Sequence, residues 1–145
     1  MGDSIDDAVI HAFMTAMIAN YAHCDILWRI VRPCYNENEA KTTSREFMDS
    51  REDCADQNNL REKAAARMDK NNNRVGADIW HRLGRKRLGI WVEPKKKSVW
   101  DELMKVRKNA VLFDAGPSSD NENALNALLQ HSYDGNLIYF KRRGA

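Results

Sequence analysis

Long hydrophobic runs are missing from this chain of 145 residues, whose mean hydropathy is −0.68. The most apolar stretch, residues 8–22, is interrupted by His11, Thr15 and Asn20, whereas a membrane-spanning helix needs about 20 consecutive apolar residues. The amino terminus, Met-Gly-Asp-Ser-Ile-Asp-Asp, is acidic and lacks the basic start of a secretory signal peptide. We therefore expect a soluble protein without a transmembrane segment, cytoplasmic in the producing cell. Any export would then use a route that does not depend on a signal peptide.

Cysteine is scarce as well. The three residues Cys24, Cys34 and Cys54 include no Cys-x-x-Cys pair, and their spacing is not that of zinc ligands. Because a disulfide framework normally uses an even number of cysteines, we expect three reduced thiols that bind no metal. One disulfide with one free thiol is the alternative that an odd count leaves open.

Repeats and low-complexity tracts are also absent, and most apolar residues recur at helical spacing. This pattern predicts helices from Ile5 to about Ala22, over residues 25–31, from Ser44 to the break at Asn58-Asn59, and from Leu60 to Lys70. It then predicts a break at Asn71–Asn73, because asparagine side chains compete with the backbone for hydrogen bonds. Residues 35–43 are polar and typical of a loop.

The second half of the chain predicts a helix over residues 75–87, an extended turn over residues 89–94, and a helix that Ser98 caps together with Asp101. A last helix capped by Ser119 or Asp120 would end at Asp134-Gly135, before a short strand or extended tail over residues 137–140. The fold class is therefore all-α. We expect a compact bundle of five or six helices, a short C-terminal extended segment, and one domain over residues 1–145.

Two polar motifs lie on the predicted helices. Asp7 and His11 are four residues apart, so both project from one side of the first helix, where a carboxylate can fix the tautomer of an imidazole. In the segment Met-Asp-Lys-Asn-Asn-Asn-Arg-Val-Gly, Asp69, Asn72 and Asn73 share one helical face. Asparagine amides both donate and accept hydrogen bonds, which suits a substrate carbonyl or a metal-bound water. A satisfied core histidine and a capped helix break are the structural alternatives.

Together these motifs resemble a bacterial domain family of unknown function, whose members often lie at the C-terminal ends of larger secreted or toxin-like proteins. The family pattern has Asp-Ala-x-Arg-His-Ala, then a His-Glu pair, then Met-Asp-x-x-Asn-Asn-x-Val-Gly, and ends in x-Gly-x-Leu with a hydrophobic tail. The matching positions in this chain are Asp7, Ala8, His11, Ala12, Met68, Asp69, Asn72, Asn73, Val75, Gly76, Gly135 and Leu137. Ile10 replaces the arginine, and Arg51-Glu52 replaces the His-Glu pair.

The resemblance implies that the two motifs and Glu52 converge inside the bundle. His11 would then be a general base or a ligand, with Asp7 orienting it, while Glu52 and Asp69 would be acid/base groups or ligands. Asn72 and Asn73 would position the substrate. A divalent metal would bind His11, Glu52 and Asp69, although the missing family histidine argues against it; a site without a cofactor and a purely structural polar network are the other two readings.

A basic segment is the competing functional feature. Residues 82–108 carry ten bases against three acids, whereas residues 36–60 carry seven acids against three bases. The candidate anion- or partner-binding residues are Arg82, Arg85, Lys86, Arg87, Lys95, Lys96 and Lys97. An acidic protein partner, such as a cognate immunity protein, fits this charge better than nucleic acid does, because no nucleic-acid-binding motif accompanies it. A solvated surface is the simplest alternative.

The first functional hypothesis is therefore a bacterial effector or toxin-like hydrolase that acts on an envelope component, either peptidoglycan or phospholipid. This target comes from the resemblance alone. The alternatives are an interaction module without catalytic activity and a nucleic-acid-binding protein that uses the segment 82–97.

Overall fold

The computed structural model describes residues 4–24, 26–31, 33–113 and 121–140. In this part of the chain six helices and four short strands are present. They are α1 (Ile5–Ala22), α2 (Ile26–Val31), α3 (Glu37–Ser50), α4 (Leu60–Leu83), β1 (Arg85–Arg87), β2 (Ile90–Val92), α5 (Lys96–Arg107), β3 (Val111–Phe113), α6 (Glu122–Leu129) and β4 (Ile138–Phe140). The expected fold class, a mainly helical bundle with a short C-terminal extended segment, is confirmed. Among these helices none has the length and hydrophobicity to cross a bilayer.

Helix α1 lies at the centre and packs against α3, α4 and α5. It begins as predicted, because the Ser4 side chain accepts the backbone N–H of Asp7 while the Asp7 carboxylate accepts that of Ser4. Small buried residues on α1 allow α4 to approach closely. At the crossing, a Cβ atom on Gly76 would lie 1.9 Å from the carbonyl oxygen of Ala12. The two helices that carry the polar motifs are therefore held in direct backbone contact.

Helix α4 is continuous, so the predicted break at Asn71–Asn73 is wrong. The three asparagines are buried, and their side chains bond to tertiary partners rather than to the adjacent backbone. Because those partners satisfy the amides, the competition that normally weakens asparagine in a helix does not arise. The helix ends at Leu83, four residues earlier than predicted.

Helix α3 begins at Glu37 and ends at Ser50, so the loop predicted over residues 35–43, the start at Ser44 and the end at Asn58-Asn59 are also wrong. Asn36 caps this helix and exchanges hydrogen bonds with Glu39 in the same reciprocal arrangement as Ser4 and Asp7. Ser44 lies buried inside the helix, where its hydroxyl donates to the carbonyl of Lys41.

The extended turn predicted over residues 89–94 is part of an antiparallel hairpin, in which β1 pairs with β2 across the two-residue turn Leu88-Gly89. Helix α5 starts at Lys96, two residues before the predicted cap at Ser98. Asn121 caps α6, which ends at Leu129 rather than at Asp134-Gly135; the predicted caps Ser119 and Asp120 lie outside the described residues. Strand β4 pairs in parallel with β3 and fills a second core with α4 and α6.

Cys24 and Cys34 form a disulfide, with their Cα atoms 5.8 Å apart, so the expectation of three reduced thiols is wrong. Cys54 is free and exposed. The chain thus follows the alternative of one disulfide and one thiol. The disulfide closes a ten-residue segment that contains α2, next to the parallel bridge between His23 and Tyr35.

Candidate active site

Three side chains from separate parts of the chain meet beside α1. Nε2 of His11 lies 3.6 Å from Oδ1 of Asp69, and Glu52 offers a carboxylate oxygen so that all three groups lie within 4.8 Å of one another. The prediction that His11 and Asp69 converge is therefore confirmed. The side chain of His11 is 22% exposed to solvent and that of Asp69 is 15% exposed, so the cluster is partly buried but accessible.

Each member is placed by a local feature of the fold. His11 and Asp69 lie on α1 and α4, which the contact between Gly76 and Ala12 holds together. Glu52 lies in the turn that follows α3, and its backbone N–H donates to the carbonyl of Asp49. The cluster thus joins the first helix, the end of the third and the middle of the fourth.

A chain of hydrogen bonds orients the imidazole of His11. Nδ2 of Asn73 donates to Oδ1 of Asp49 at 3.1 Å, which turns Oδ1 of Asn73 toward Nδ1 of His11 at 3.3 Å. Because that oxygen can only accept, Nδ1 must carry the proton, and in the neutral ring Nε2 has a free lone pair. The lone pair faces Asp69 and Glu52. The hydroxyl of Thr15 lies near the same amide oxygen, at 3.3 Å, and donates to the carbonyl of His11 at 2.9 Å.

Among the described residues of the cluster, Asp69 has the pKa that departs most from its ordinary value. Burial raises its pKa to about 8, and the charge of Glu52, a hydrogen bond with Glu52 and the charge of Asp7 act in the same direction, while Arg51 opposes them. The carboxyl of Asp69 therefore keeps its proton near neutral pH. Oδ1 of Asp69 is buried and has no hydrogen-bond partner among the described residues. Such a carboxyl suits proton transfer.

Asp7 is placed differently from the expectation that it orients His11. Its carboxylate accepts from the backbone and the hydroxyl of Ser4, at 3.2 and 2.7 Å, and its charge acts on Asp69. The atom that contacts Nδ1 of His11 is the amide oxygen of Asn73. In this geometry Asn73 has the orienting position, and Asp7 caps α1 while adding negative charge to the site.

Asn72 faces β4. Its Nδ2 donates to the carbonyl of Ile138 at 2.9 Å, and its Oδ1 accepts the backbone N–H of the same residue at 3.0 Å. The side chain is fully buried, and both ends of its amide are used. Asn72 thus ties the C-terminal strand to α4, while its neighbour Asn73 serves the cluster.

Sequence reasoning missed Asp49 and Thr15. Burial raises the pKa of Asp49, while the hydrogen bond from Asn73 and the charges of Arg45 and Lys70 lower it. Asp49 and Glu52 are three residues apart, and both fall within the helix predicted from Ser44 to Asn58-Asn59, so helical spacing alone would have placed them on one face. Thr15 lies four residues after His11 on α1, and this spacing likewise places both side chains on one helical face.

The residues of the cluster fit a divalent metal ion. One imidazole nitrogen and two carboxylate oxygens are a usual ligand set, and metal-binding histidines typically donate their other N–H to an oxygen, as Nδ1 of His11 does to Asn73. Elsewhere in the described residues no such group of three or more histidine, cysteine, aspartate or glutamate side chains is present.

The basic residues of the segment 82–97 divide into two groups. Arg82 pairs with Glu102 at 3.1 Å, and Lys97 pairs with Asp101 at 2.9 Å. Within the described ranges, the remaining members have no carboxylate within ion-pair distance and are exposed; they are Arg85, Lys86, Arg87, Lys95 and Lys96. The unneutralised charge is therefore concentrated on β1 and at the start of α5.

Comparisons with known proteins give no match: no protein-family model, no curated protein and no solved structure is significantly similar to this chain.

Proposed function

We propose that this chain is the hydrolase domain of a bacterial effector or toxin-like protein, and that His11, Glu52 and Asp69 are its catalytic groups. One observation carries the proposal. Nε2 of His11, whose Nδ1–H donates to Asn73, faces the carboxyl groups of Asp69 and Glu52 in a cluster that solvent can reach. A purely structural network would be expected to be sealed, as the amide of Asn72 is.

In the proposed reaction Nε2 of His11 accepts a proton from water while the water oxygen attacks the substrate carbonyl or phosphoryl group. The carboxyl of Asp69, which burial and the charge of Glu52 keep protonated, donates its proton to the leaving group as the scissile bond breaks. The imidazolium then returns its proton to the carboxylate across the 3.6 Å separation, which restores the starting state. Asn73 keeps the imidazole in the required tautomer throughout.

A divalent metal ion would be held by Nε2 of His11 and by the carboxylates of Glu52 and Asp69. It would supply Lewis acidity and lower the pKa of a bound water. Asn73 would keep its role, because the Nδ1–H that it accepts leaves Nε2 free for the metal.

The proposed target is a component of the bacterial envelope, either peptidoglycan or phospholipid. It is supported by the resemblance of the motifs around His11 and Asp69 to domains of toxin-like proteins. The disulfide between Cys24 and Cys34 adds support, because disulfides persist mainly in oxidising compartments such as the periplasm. An envelope hydrolase would work in such a compartment.

The test is to incubate the purified protein with peptidoglycan sacculi and with phospholipid vesicles, and to measure released fragments. Parallel samples contain a chelator or added zinc. We expect release from one of the two substrates, and we expect Glu52→Gln to reduce it at least about 100-fold, since general acid–base groups contribute about 10²–10⁴-fold. Release from neither substrate, with and without zinc, would contradict the proposal.

A further inference from the structure

The most exposed apolar side chains of the described residues include two on α2, inside the disulfide-closed segment, and one at the tip of the β1–β2 hairpin. Trp28 is 58% exposed, Ile30 is 80% exposed and Leu88 is fully exposed. Trp28 and Ile90 line one groove, and Arg29, Lys86, Leu88 and Ile90 line an adjoining one, so α2 and the hairpin form one continuous surface. We call it the hairpin surface.

Leu88 is energetically unfavourable where it lies. In the two-residue turn both residues have positive φ, 51° for Leu88 and 79° for Gly89, as a type I′ turn requires. Asparagine or glycine is strongly preferred at such positions, and a bulky residue at positive φ is uncommon. A leucine that is both strained and fully exposed stabilises nothing in the isolated chain. This combination indicates that the Leu88 side chain contacts a binding partner.

Positive charge predominates on the hairpin side of this surface, and Glu37 and Glu93 are the acidic residues that line its grooves. Arg85, Lys86 and Arg87 form the strand that leads into the turn, and Lys95 and Lys96 follow the hairpin; within the described ranges no carboxylate pairs with them. A cavity of about 430 Å³ lies beside them, lined by Arg85, Arg87, Lys95 and Ser98 together with one acidic residue, Glu93. The surface therefore presents apolar tips among cations, with an adjacent cavity that can accept an anionic group.

We infer that the hairpin surface docks this protein on a lipid bilayer that carries anionic headgroups. Leu88 and Ile30 enter the boundary between headgroups and acyl chains, Trp28 lies at the interface, and the basic side chains contact the lipid phosphates. Apolar and aromatic side chains flanked by lysine and arginine are the usual composition of a peripheral membrane anchor.

Two other occupants fit less well. Single-stranded nucleic acid is held by basic grooves with a series of aromatic stacking platforms, whereas two of the three exposed side chains here, Leu88 and Ile30, are aliphatic and only Trp28 among them offers a ring to a base. A second copy of this chain in a two-fold dimer would bring the same unneutralised cations together. An anionic bilayer satisfies both the charge and the aliphatic side chains.

The hairpin surface is distinct from the candidate active site. His23, which lines both grooves of the hairpin surface, follows α1 and lies twelve residues after His11, which corresponds to about 18 Å along the helix axis. Since docking requires no chemistry, the inference does not depend on the proposed function.

The experiment is flotation of the full chain with vesicles of phosphatidylcholine alone and with vesicles that also contain phosphatidylglycerol. We expect binding to the anionic vesicles that weakens as salt is added. Leu88→Asn should weaken it by about tenfold or more, because a buried leucine side chain contributes about 1.5–3 kcal/mol. This variant keeps the hairpin, since Asn-Gly is the preferred type I′ sequence.

Charge is tested with a matched pair. Lys86→Glu and Lys108→Glu change the net charge equally, but Lys108 lies at the opposite end of α5 from the hairpin. We expect at least about fivefold weaker binding for Lys86→Glu and little change for Lys108→Glu, because a cation at the membrane surface contributes about 1 kcal/mol. His11→Gln should dock like the wild type, so that loss of hydrolysis and loss of docking are separate results.

Equal binding of the wild type and Leu88→Asn would overturn the inference, as would equal binding to neutral and anionic vesicles. Binding to DNA without binding to vesicles would assign the surface to nucleic acid instead. Dimerisation that Leu88→Asn abolishes, in a protein that does not float with vesicles, would assign it to a second copy of the chain.

Discussion

The amide oxygen of Asn73 lies 3.3 Å from Nδ1 of His11, while the amide nitrogen of the same side chain lies 3.1 Å from the carboxylate of Asp49. This one side chain links α3 to α1 and fixes which imidazole nitrogen carries the proton. The adjacent Asn72 makes two hydrogen bonds of similar length, but both go to Ile138 on β4. The two neighbours provide a matched pair for separating a site residue from a structural one.

In Asn73→Ala the imidazole of His11 should no longer be held in the Nδ1–H tautomer, whereas in Asn72→Ala it should be. Both substitutions should lower the free energy of unfolding by about 1–3 kcal/mol, because each leaves buried polar groups without a partner. Nitrogen-15 NMR of the labelled histidines measures the tautomer directly. We expect the Nδ1–H form for His11 in the wild type and in Asn72→Ala. The same tautomer in Asn73→Ala would show that Asn73 does not orient the ring.

Asp69→Asn should make the protein more stable at alkaline pH. The pKa of Asp69 is about 8 in the folded protein, above its ordinary value of 3.8, so the folded state binds a proton that the unfolded chain releases between these values. The stability from that proton is fully present below the ordinary pKa and is lost as pH rises through about 8. An amide cannot ionise and therefore avoids this loss.

Above pH 8 we expect the Asn variant to gain about 0.5–2 kcal/mol over the wild type, with the difference shrinking toward acid pH. Urea unfolding across the pH range, in the presence of a chelator, measures it. The exposed substitution Glu46→Gln on α3 serves as control and should leave the pH profile unchanged. Parallel profiles for Asp69→Asn and the wild type would show that the carboxyl of Asp69 is ionised at neutral pH.

Gly76→Ala should destabilise the protein although alanine is the better helix former. The added Cβ would lie 1.9 Å from the carbonyl oxygen of Ala12 and 2.7 Å from its Cα, and backbone atoms cannot give way as a flexible side chain does. We expect a loss of about 1–3 kcal/mol, as for other overpacked cores, instead of the gain of about 1 kcal/mol that helix propensity alone predicts. Thermal unfolding decides the sign, and a higher melting temperature would contradict the close helix contact.

Thiol titration of the denatured, unreduced protein should find one reactive cysteine, Cys54. Cys34→Ser should lower the free energy of unfolding by about 2–3 kcal/mol, since it opens a ten-residue segment, whereas Cys54→Ser should change it little. Three reactive thiols, or equal stability of the two serine variants, would speak against the disulfide.

The sequence allowed α1 to be predicted at both ends, because its apolar period is regular and Ser4 with Asp7 forms a recognisable cap. The same kind of cap at Asn36 and Glu39 went unrecognised, since polar residues follow it and only tertiary packing shows that α3 has a buried side. The break that the sequence predicts within α4 is wrong for a related reason. Asparagine is unfavourable in a helix only while its amide seeks the local backbone, and the partners at Asp49, Asn136 and Ile138 are distant in sequence.

The candidate site was predicted in part. His11 and Asp69 meet as expected, because each lies on a well-predicted helical segment with a definite face. Asn72 and Asn73 have different hydrogen-bond partners because β4 packs beside the first and the end of α3 beside the second. Helical spacing alone does not determine this packing. The pairing of Cys24 with Cys34 likewise depends on the chain turning back after α2, and an odd count of cysteines is not informative about it.

His11 is the proposed catalytic base, and a second histidine in the same chain provides its control. Nε2 of His131 lies 3.6 Å from a carboxylate oxygen of Asp134, and its side chain is 18% exposed, nearly the values for His11 beside Asp69. The measurement is the hydrolysis rate of His11→Gln and of His131→Gln on the envelope substrate that the wild type cleaves, with the melting temperature of each variant. We predict a loss of at least about 100-fold for His11→Gln and wild-type activity for His131→Gln, with both proteins folded. Equal rates for the two folded variants would show that His11 takes no part in catalysis.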